Sequence, residues 1–518
     1  MPSRPSSKAS VVAPRGRDYL VRILNARVYD LAEQTPLDAA DNLSRRLRNR
    51  VLLKREDLQP VFSFKLRGAS NKLLSMTPAQ RRRGVICASA GNHAQGVAMA
   101  AAHLGVRARV VMPTTTPEIK VQAVRHLGAQ VVLEGDNYDA AQRHARELQR
   151  AEGLGFVHPY DDPDVIAGQG TIAAELLRQC EEPIEAVFVP VGGGGLIGGM
   201  AAYIKQLRPQ VRVIGVECED SAAMHAALQA GQRVRLRQIG LFADGTAVRR
   251  VGAETFRLAQ AYVDEILVVS IDAVCAAIKD LFEDTRAMME PAGALGVAGM
   301  KAWVAKRRCH GRRLVAVTSG ANVNFDRLRY VAERAEIGEC REVILAARIP
   351  ERPGSFRGFA RALGRHAISE FNYRYSGPDA AHVFVGLRLN GDLRRKQRLI
   401  ERLRRHGYSI EDLSDSETAK LHIRHLVGGR VAGLGDEVLY RFEFPERPGA
   451  LLDFLDRLGG RWNISLFHYR NHGAAYGHVL CGLQVPEAER AALRSFLRGT
   501  DFDCTDETDS EVYRRFLA

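Results

Sequence analysis

None of the eight cysteines forms a Cys-x-x-Cys pair; they stand scattered at 87, 180, 218, 275, 309, 340, 481 and 504. That scatter excludes a paired-thiol zinc site and a disulfide framework, and it fits a reducing cytoplasm. The N-terminus lacks the apolar core of a secretory signal. Its first seventeen residues carry four basic side chains and no acidic one, among several Ser, Pro and Ala. The prolines and a glycine oppose an amphipathic helix, which favours a flexible tail over an organelle transit peptide. Charge is absent from Ala186 to Ile204, a stretch long enough to cross a bilayer. Pro190 and the run Gly192–Gly195 interrupt it, so a lipid-facing helix is not expected. The net charge is +14, yet no aromatic-interleaved basic platform for stacking bases is present. The basic residues lie in short runs such as Arg81–Arg83 and Arg394–Lys396, which read as helix faces. Neither a nucleic-acid nor a membrane partner is expected.

What is present is ample material for a large core. Of 518 residues, 46% are hydrophobic and 26% charged, which describes a globular chain of more than one domain. From about residue 50 to 320, short β-branched runs alternate with Ala- and Leu-rich helical patterns. The expected strands are Val51–Lys54, Gly84–Ser89, Arg107–Met112, Gln130–Leu133, Ala186–Val191, Val211–Val216, Ile266–Ser270 and Leu314–Thr318. Several are apolar almost without interruption, as strands covered on both faces should be. This is an α/β pattern with helices on both faces of a mostly parallel sheet. In such sheets ligands sit where strand ends lead into helices.

The last third contains a repeat. Ile349–Ser355 (IPERPGS) returns as Phe444–Ala450 (FPERPGA), and Ile368–Tyr373 returns as Ile464–Tyr469. His382–Leu387 returns as His478–Leu483. The first pair is offset by one position fewer than the others, which places one inserted residue in the first helix of the second copy. Each copy reads βαββαβ, a ferredoxin-like sandwich. The expected helices are Ser355–Gly364 and Leu393–His406, then Ala450–Leu458 and Pro486–Leu497. The glycine-rich tract Leu421–Asp436 links the copies.

Four motifs stand at strand ends. Ser63-Phe-Lys-Leu-Arg-Gly68 sets Lys65 between Phe62, Phe64 and Leu66. An apolar setting lowers a lysine pKa and supplies the neutral amine that imine formation needs. Alone, Lys65 reads equally as a surface lysine on a helix. Ser89-Ala-Gly-Asn-His-Ala-Gln-Gly96 brings small residues to a helix start, where backbone N–H groups receive an anion such as a substrate carboxylate. Within it Asn92 is a neutral donor for a phenolic oxygen. His93 reads either as a structural turn residue or as a direct participant. Gly192-Gly-Gly-Gly-Leu196 offers close backbone approach and free N–H groups, which suits a phosphate. It is neither a Walker loop nor a dinucleotide fingerprint. Thr318-Ser-Gly-Ala-Asn322 ends the last strand, and a hydroxyl there is by itself a common cap. Together the four supply an amine, a carboxylate nest, a phosphate cradle and a neutral hydroxyl. That set matches pyridoxal phosphate.

The motifs resemble those of fold type II pyridoxal-phosphate enzymes (tryptophan synthase beta-like), and specifically the biosynthetic threonine dehydratases, from about Tyr19 to the C-terminus. Ser63–Ala69 resembles the dehydratase form of the lysine motif, with Leu66 where cysteine and threonine synthases place Asp. Met289–Ala294 is a further family-like segment. The resemblance implies that Lys65 forms the imine with the cofactor and that Asn92 bonds its 3′-oxygen. It implies that Gly192, Gly193, Gly194, Gly195 and Leu196 hold the phosphate and that Ser319 faces the pyridine nitrogen. Ser89, Gly91, Asn92 and His93 are the expected substrate residues. The implied reaction is deamination of L-threonine to 2-oxobutanoate and ammonia, the first committed step of isoleucine biosynthesis. Serine dehydratase and serine racemase activity are the alternatives. The twin C-terminal copies resemble ACT-like regulatory domains, which implies isoleucine as inhibitor, valine as antagonist, and a homotetramer. The expected division is a flexible tail over 1–17, a catalytic domain over 18–338, and ACT-like domains over 341–415 and 436–510. Racemases carry an acidic metal ligand six positions after the glutamate that ends a Val-Glu strand. Here Ala223 stands six positions after Glu217, so no required divalent metal is expected.

Overall fold

The computed structural model describes residues 16–339, 341–389, 393–431, 433–445, 449–458, 460–470, 476–499 and 503–517. The expected tail falls mostly outside the described residues. So do Cys340 and part of the second Pro-Glu-Arg-Pro segment. The chain divides into two compact units, one ending at Ala335 and one beginning at Glu336.

The first unit contains β1 (Leu37–Ala39), β2 (Arg50–Arg55), β3 (Val85–Ala88), β4 (Ala108–Met112), β5 (Gln130–Leu133), β6 (Gly155–Phe156), β7 (Ala186–Pro190), β8 (Arg212–Cys218), β9 (Glu265–Val269) and β10 (Arg313–Thr318). All eight expected strands of this region are present, with no end moved by more than two residues. The single sheet that the alternation implies is instead two sheets. One has the order β1-β2-β10-β7-β8-β9, the other β5-β4-β3-β6. Only β1 runs antiparallel to its neighbour. The smaller sheet comes from the stretch between β2 and β7, which pairs only with itself.

Burial explains the apolar runs. In β7, Val187 and Val189 face one core cluster while Ala186 and Phe188 face another. In β10, Val315 and Val317 join the first cluster, and Leu314 and Ala316 the second. Helices cover both faces, so neither parity of residue tolerates a polar side chain. The uncharged Ala186–Ile204 stretch is β7 followed by the start of helix Gly195–Leu207. No helix among the described residues is long and apolar enough to cross a membrane.

Helix Lys65–Ser75 is set by two close crossings. A Cβ on Gly168, in helix Pro163–Gln179, would stand 2.7 Å from the Gly68 Cα. A Cβ on Gly96, in helix Asn92–His103, would stand 3.1 Å from the Leu66 nitrogen. The motif glycines Gly68 and Gly96 therefore let helix backbones approach. A fully buried ionic network pins the same helix. Arg67 Nε lies 2.8 Å from Glu56 Oε2 and Arg67 Nη1 lies 2.6 Å from Glu175 Oε1. Lys54 Nζ approaches Glu175 Oε2 at 2.6 Å.

The second unit contains β11 (Glu342–Pro350), β12 (Ile368–Arg374), β13 (Ala380–Arg388), β14 (Ser409–Asp412), β15 (Glu437–Pro445), β16 (Asn463–Arg470), β17 (Tyr476–Gln484) and β18 (Cys504–Asp506). Each repeat folds as βαββαβ. The helices are Ser355–Leu363 and Leu393–Arg405 in the first copy, and Ala450–Leu458 and Arg490–Arg498 in the second. The two copies share one sheet, β14-β11-β13-β12-β16-β17-β15-β18. They meet where β12 pairs antiparallel with β16, Asn372 opposite His468. A single hydrophobic cluster runs through both, from Val343 to Leu497. The tract expected as a plain linker carries a short helix ending at Leu421 and a 3-10 turn over Ile423–His425.

Candidate active site

A cavity of about 740 Å³ in the first unit is lined by the ends of β3, β7 and β10 and by the start of helix Lys65–Ser75. Its size suits a cofactor with a small substrate. Lys65, Ser89, Gly91, Asn92, His93, Gly192, Gly193, Gly194, Gly195, Leu196 and Ser319 all line it. The structure thus brings together the residues expected to bind cofactor and substrate, while Glu217 and Ala223 lie outside the cavity.

Lys65 is the first residue of its helix, preceded by Phe64, whose ring centroid lies 5.2 Å from Nζ. Burial lowers its pKa from the ordinary lysine value, against the opposing charge of Glu290. No acceptor among the described residues hydrogen-bonds the amine. Desolvation without an ion-pair partner favours the neutral amine, the form that reacts with a carbonyl.

The glycine loop leaves β7 and becomes helix Gly195–Leu207. Among the described residues, none of the six backbone N–H groups from Gly192 to Ile197 has an acceptor. Unbonded first-turn amides with the helix dipole behind them make an anion site. A side chain would fill the cradle. A Cβ on Gly193 would stand 2.1 Å from the Tyr160 ring, and Gly194 has φ +94°. Thr255 Oγ1 donates to the Gly193 carbonyl at 2.6 Å and holds the loop's shape. A phosphate dianion fits this donor set.

The second helix start is at Asn92, inside the Ser89–Gly96 motif. The N–H groups of Asn92, His93 and Ala94 have no acceptor among the described residues. Gly91 donates its N–H to Ser89 Oγ at 3.3 Å, which shapes the turn. The His93 ring is buried in the wall. Nε2 bonds the Val157 carbonyl at 3.0 Å, and Nδ1 is buried without a partner. Burial pushes its pKa down to about 3, so the ring is neutral. His93 lines the cavity with its ring bonded to the Val157 carbonyl. Ser319 donates its hydroxyl to the Ala292 carbonyl at 3.3 Å and brings no charge.

Other cavity residues had no role read from the sequence. Glu290, inside the quoted Met289–Ala294 segment, accepts from Asn92 Nδ2 at 2.6 Å. Burial and the Asp244 carboxylate push its pKa up to about 7. Asn322 Nδ2 donates to Asn92 Oδ1 at 2.8 Å. Lys120 Nζ lies 2.6 Å from Asp244 Oδ2. Tyr160, which walls the glycine loop, gave no sequence signal. Outside the cavity, Glu217 accepts from the N–H groups of Met224 at 2.8 Å and His225 at 2.7 Å. It thus serves as a helix cap beside Ala223.

Residues 28–320 match the family of pyridoxal-phosphate dependent enzymes. Residues 333–423 and 428–517 each match the C-terminal regulatory domain of threonine dehydratase. The chain is 54% identical over 506 residues to the biosynthetic L-threonine dehydratase of Escherichia coli, covering 98% of each. It is 49% identical over 519 residues to the chloroplastic biosynthetic threonine dehydratase of Arabidopsis thaliana, covering 100% of this chain and 87% of that one. The solved structure of processed threonine deaminase isoform 2 from Solanum lycopersicum superposes with a TM-score of 0.61 at 48% identity. It covers 62% of this chain and 93% of its own. Serine racemase from Dictyostelium discoideum superposes at a TM-score of 0.55 and 29% identity, over 59% of this chain and 99% of that one. The catalytic family model covers more than half of the chain, both C-terminal copies match the regulatory domain, and near-full-length relatives are about half identical to it: the chain belongs to the biosynthetic threonine dehydratases, a family of pyridoxal-phosphate dependent lyases.

Proposed function

We propose that this chain converts L-threonine to 2-oxobutanoate and ammonia by β-elimination, with pyridoxal phosphate held at Lys65 and the glycine loop. The observation that carries the reading is the juxtaposition, across one cavity, of a desolvated lysine and six unbonded amides at a helix start. When bound, pyridoxal phosphate supplies an electron sink for the pair left as a proton leaves Cα. The Lys65 amine, freed when the substrate's amine takes its place, would accept that proton, and its lowered pKa keeps it available as a base. The amides of Asn92, His93 and Ala94, with Ser89 and Gly91 shaping the turn, seat the substrate carboxylate. Gly192, Gly193, Gly194, Gly195 and Leu196 hold the phosphate. Asn92 would offer an N–H to the ring's 3′-oxygen, and Ser319 would serve the ring nitrogen with a neutral hydroxyl. A neutral hydroxyl there would bring no charge to the ring, which would favour departure of the β-hydroxyl over return of the proton.

The same reading assigns catalysis to residues 18–338 and regulation to ACT-like domains at 341–415 and 436–510. Isoleucine inhibits through those domains and valine opposes it, by biasing the chain between an active and an inactive state. The enzyme works as a homotetramer in the cytoplasm and requires no divalent metal. The match of both repeats to a regulatory domain supports this assignment.

The test is an assay of 2-oxo acid formation from threonine and from serine, each with and without isoleucine. The expected result is 2-oxobutanoate from threonine, suppressed by isoleucine. Turnover of serine alone would make the enzyme a serine dehydratase, and D-serine without 2-oxo acid would make it a racemase. No product from either amino acid would overturn the reading.

A further inference from the structure

Three side chains from distant parts of the sequence meet at the cavity wall. Asn322 Nδ2 donates to the Val61 carbonyl and to Asn92 Oδ1, both at 2.8 Å. A carboxamide nitrogen carries two hydrogens, so both are committed and only an acceptor can face it. Asn92 must therefore turn its oxygen toward Asn322. Its nitrogen then faces Glu290, whose Oε1 accepts at 2.6 Å. One hydrogen on Asn92 Nδ2 remains uncommitted. The reverse orientation would set nitrogen against nitrogen at Asn322 and oxygen against oxygen at Glu290. The Glu290 carboxyl has a fitted seat, since a Cβ on Gly320 would stand 2.6 Å from Oε1.

We propose that Glu290 is a positioning residue: it holds the Asn92 carboxamide so that its spare N–H is kept for the 3′-oxygen of bound pyridoxal phosphate. The inference rests on the reading of this cavity as the cofactor site. Without Glu290, one of the two bonds that fix the carboxamide is lost, and Asn92 turns more readily to present a carbonyl, which repels a phenolate oxygen where an N–H would stabilise it. Burial and Asp244 favour the protonated form of Glu290, while the Asn92 N–H, Lys120 and Lys65 favour the ionised one. Either form keeps an oxygen that accepts from Asn92. The role therefore lies in the acceptor and not in the charge.

That distinction sets the experiment. The full-length chain and its Glu290→Ala, Glu290→Gln and Asn322→Ala variants are loaded with pyridoxal phosphate. Two quantities are read: the pH at which the visible absorbance of the bound cofactor changes, and cofactor retention on dialysis. Loss of one hydrogen bond to the phenolate should raise the transition by about one pH unit and weaken retention roughly tenfold in Glu290→Ala. Asn322→Ala should shift both the same way. Glu290→Gln, which keeps an acceptor, should stay close to the parent. A Glu290→Ala protein that titrates like the parent overturns the proposal, and so does a Glu290→Gln protein that behaves like Glu290→Ala. If Glu290→Ala does not fold, a parental transition in Asn322→Ala or a shifted one in Glu290→Gln overturns it equally. A parent chain that takes up no cofactor refutes the cofactor site itself, a result separate from these.

Discussion

Phe64 donates its backbone N–H to the Ser319 carbonyl at 3.3 Å. Beside this bond, Ser63 and Gly320 form an antiparallel bridge, and Ala321 donates to the Phe62 carbonyl at 2.9 Å. A short ladder thus ties the segment that presents Lys65 to the strand end that presents Ser319. Amine and hydroxyl are held on one frame, as a site of fixed geometry requires.

The wall behind the glycine loop makes the first prediction. Gly193→Ala drives a methyl into the Tyr160 ring, because the added Cβ would stand 2.1 Å from it. The loop must shift and its amides lose their common focus. The variant should lose about 1–3 kcal/mol of stability and most of its affinity for pyridoxal phosphate. Adding Tyr160→Ala opens the space and should restore part of both, a coupling that a double-mutant cycle of melting and cofactor binding would measure. Strictly additive effects would mean that the two residues do not share the wall.

The buried network beneath the lysine helix is a second point of attack. Arg67→Met removes the cation that Glu56 and Glu175 face. Lys54 still serves Glu175, but Glu56 is left buried without a cation. The expected cost is about 3–5 kcal/mol in denaturant unfolding. Adding Glu56→Gln removes the stranded charge and should recover a sizeable part of it. A loss under about 1 kcal/mol in the single variant would show that water reaches the network.

His93 links stability to pH. Its pKa falls from 6.5 to about 3 in the fold, with burial the main cause. The folded state therefore holds fewer protons than the unfolded state between those values. The contribution is complete above pH 6.5 and is lost as the pH falls toward 3. Between pH 7 and pH 5 this one group should remove about 2 kcal/mol. His93→Gln lacks the titration, so over that interval its stability should gain on the parent by the same amount. Parallel pH profiles for the two proteins would contradict a neutral buried ring.

The duplicated unit makes a further prediction. A chain ending at Gly338 keeps the core clusters that cover both faces of the six-stranded sheet. It should form 2-oxobutanoate from threonine and be indifferent to isoleucine. Continued inhibition in that truncation would place the effector site in the first unit.

The sequence showed the strands that are buried on both faces, since β7 and β10 could not be other than apolar. It did not show β1 and β6, which are too short, at Leu37–Ala39 and Gly155–Phe156, to leave a pattern. The division into two sheets was hidden because strand neighbours are chosen by long-range packing. The continuous eight-stranded sheet depends likewise on one edge pairing, β12 with β16. In the site, the glycines and Lys65 were legible because their chemistry is local. Glu290 was not, because its meaning comes from Asn92, 198 positions away. Nor was the Val157 carbonyl that the His93 ring bonds, 64 positions away.

The central claim is that Lys65 carries the cofactor. Borohydride reduction of the protein loaded with pyridoxal phosphate, followed by mass spectrometry of its peptides, tests this most directly. One reduced pyridoxyl adduct is expected, on Lys65, with threonine turnover lost in proportion. An adduct on another lysine with Lys65 unmodified, or full activity after complete modification of Lys65, would contradict it.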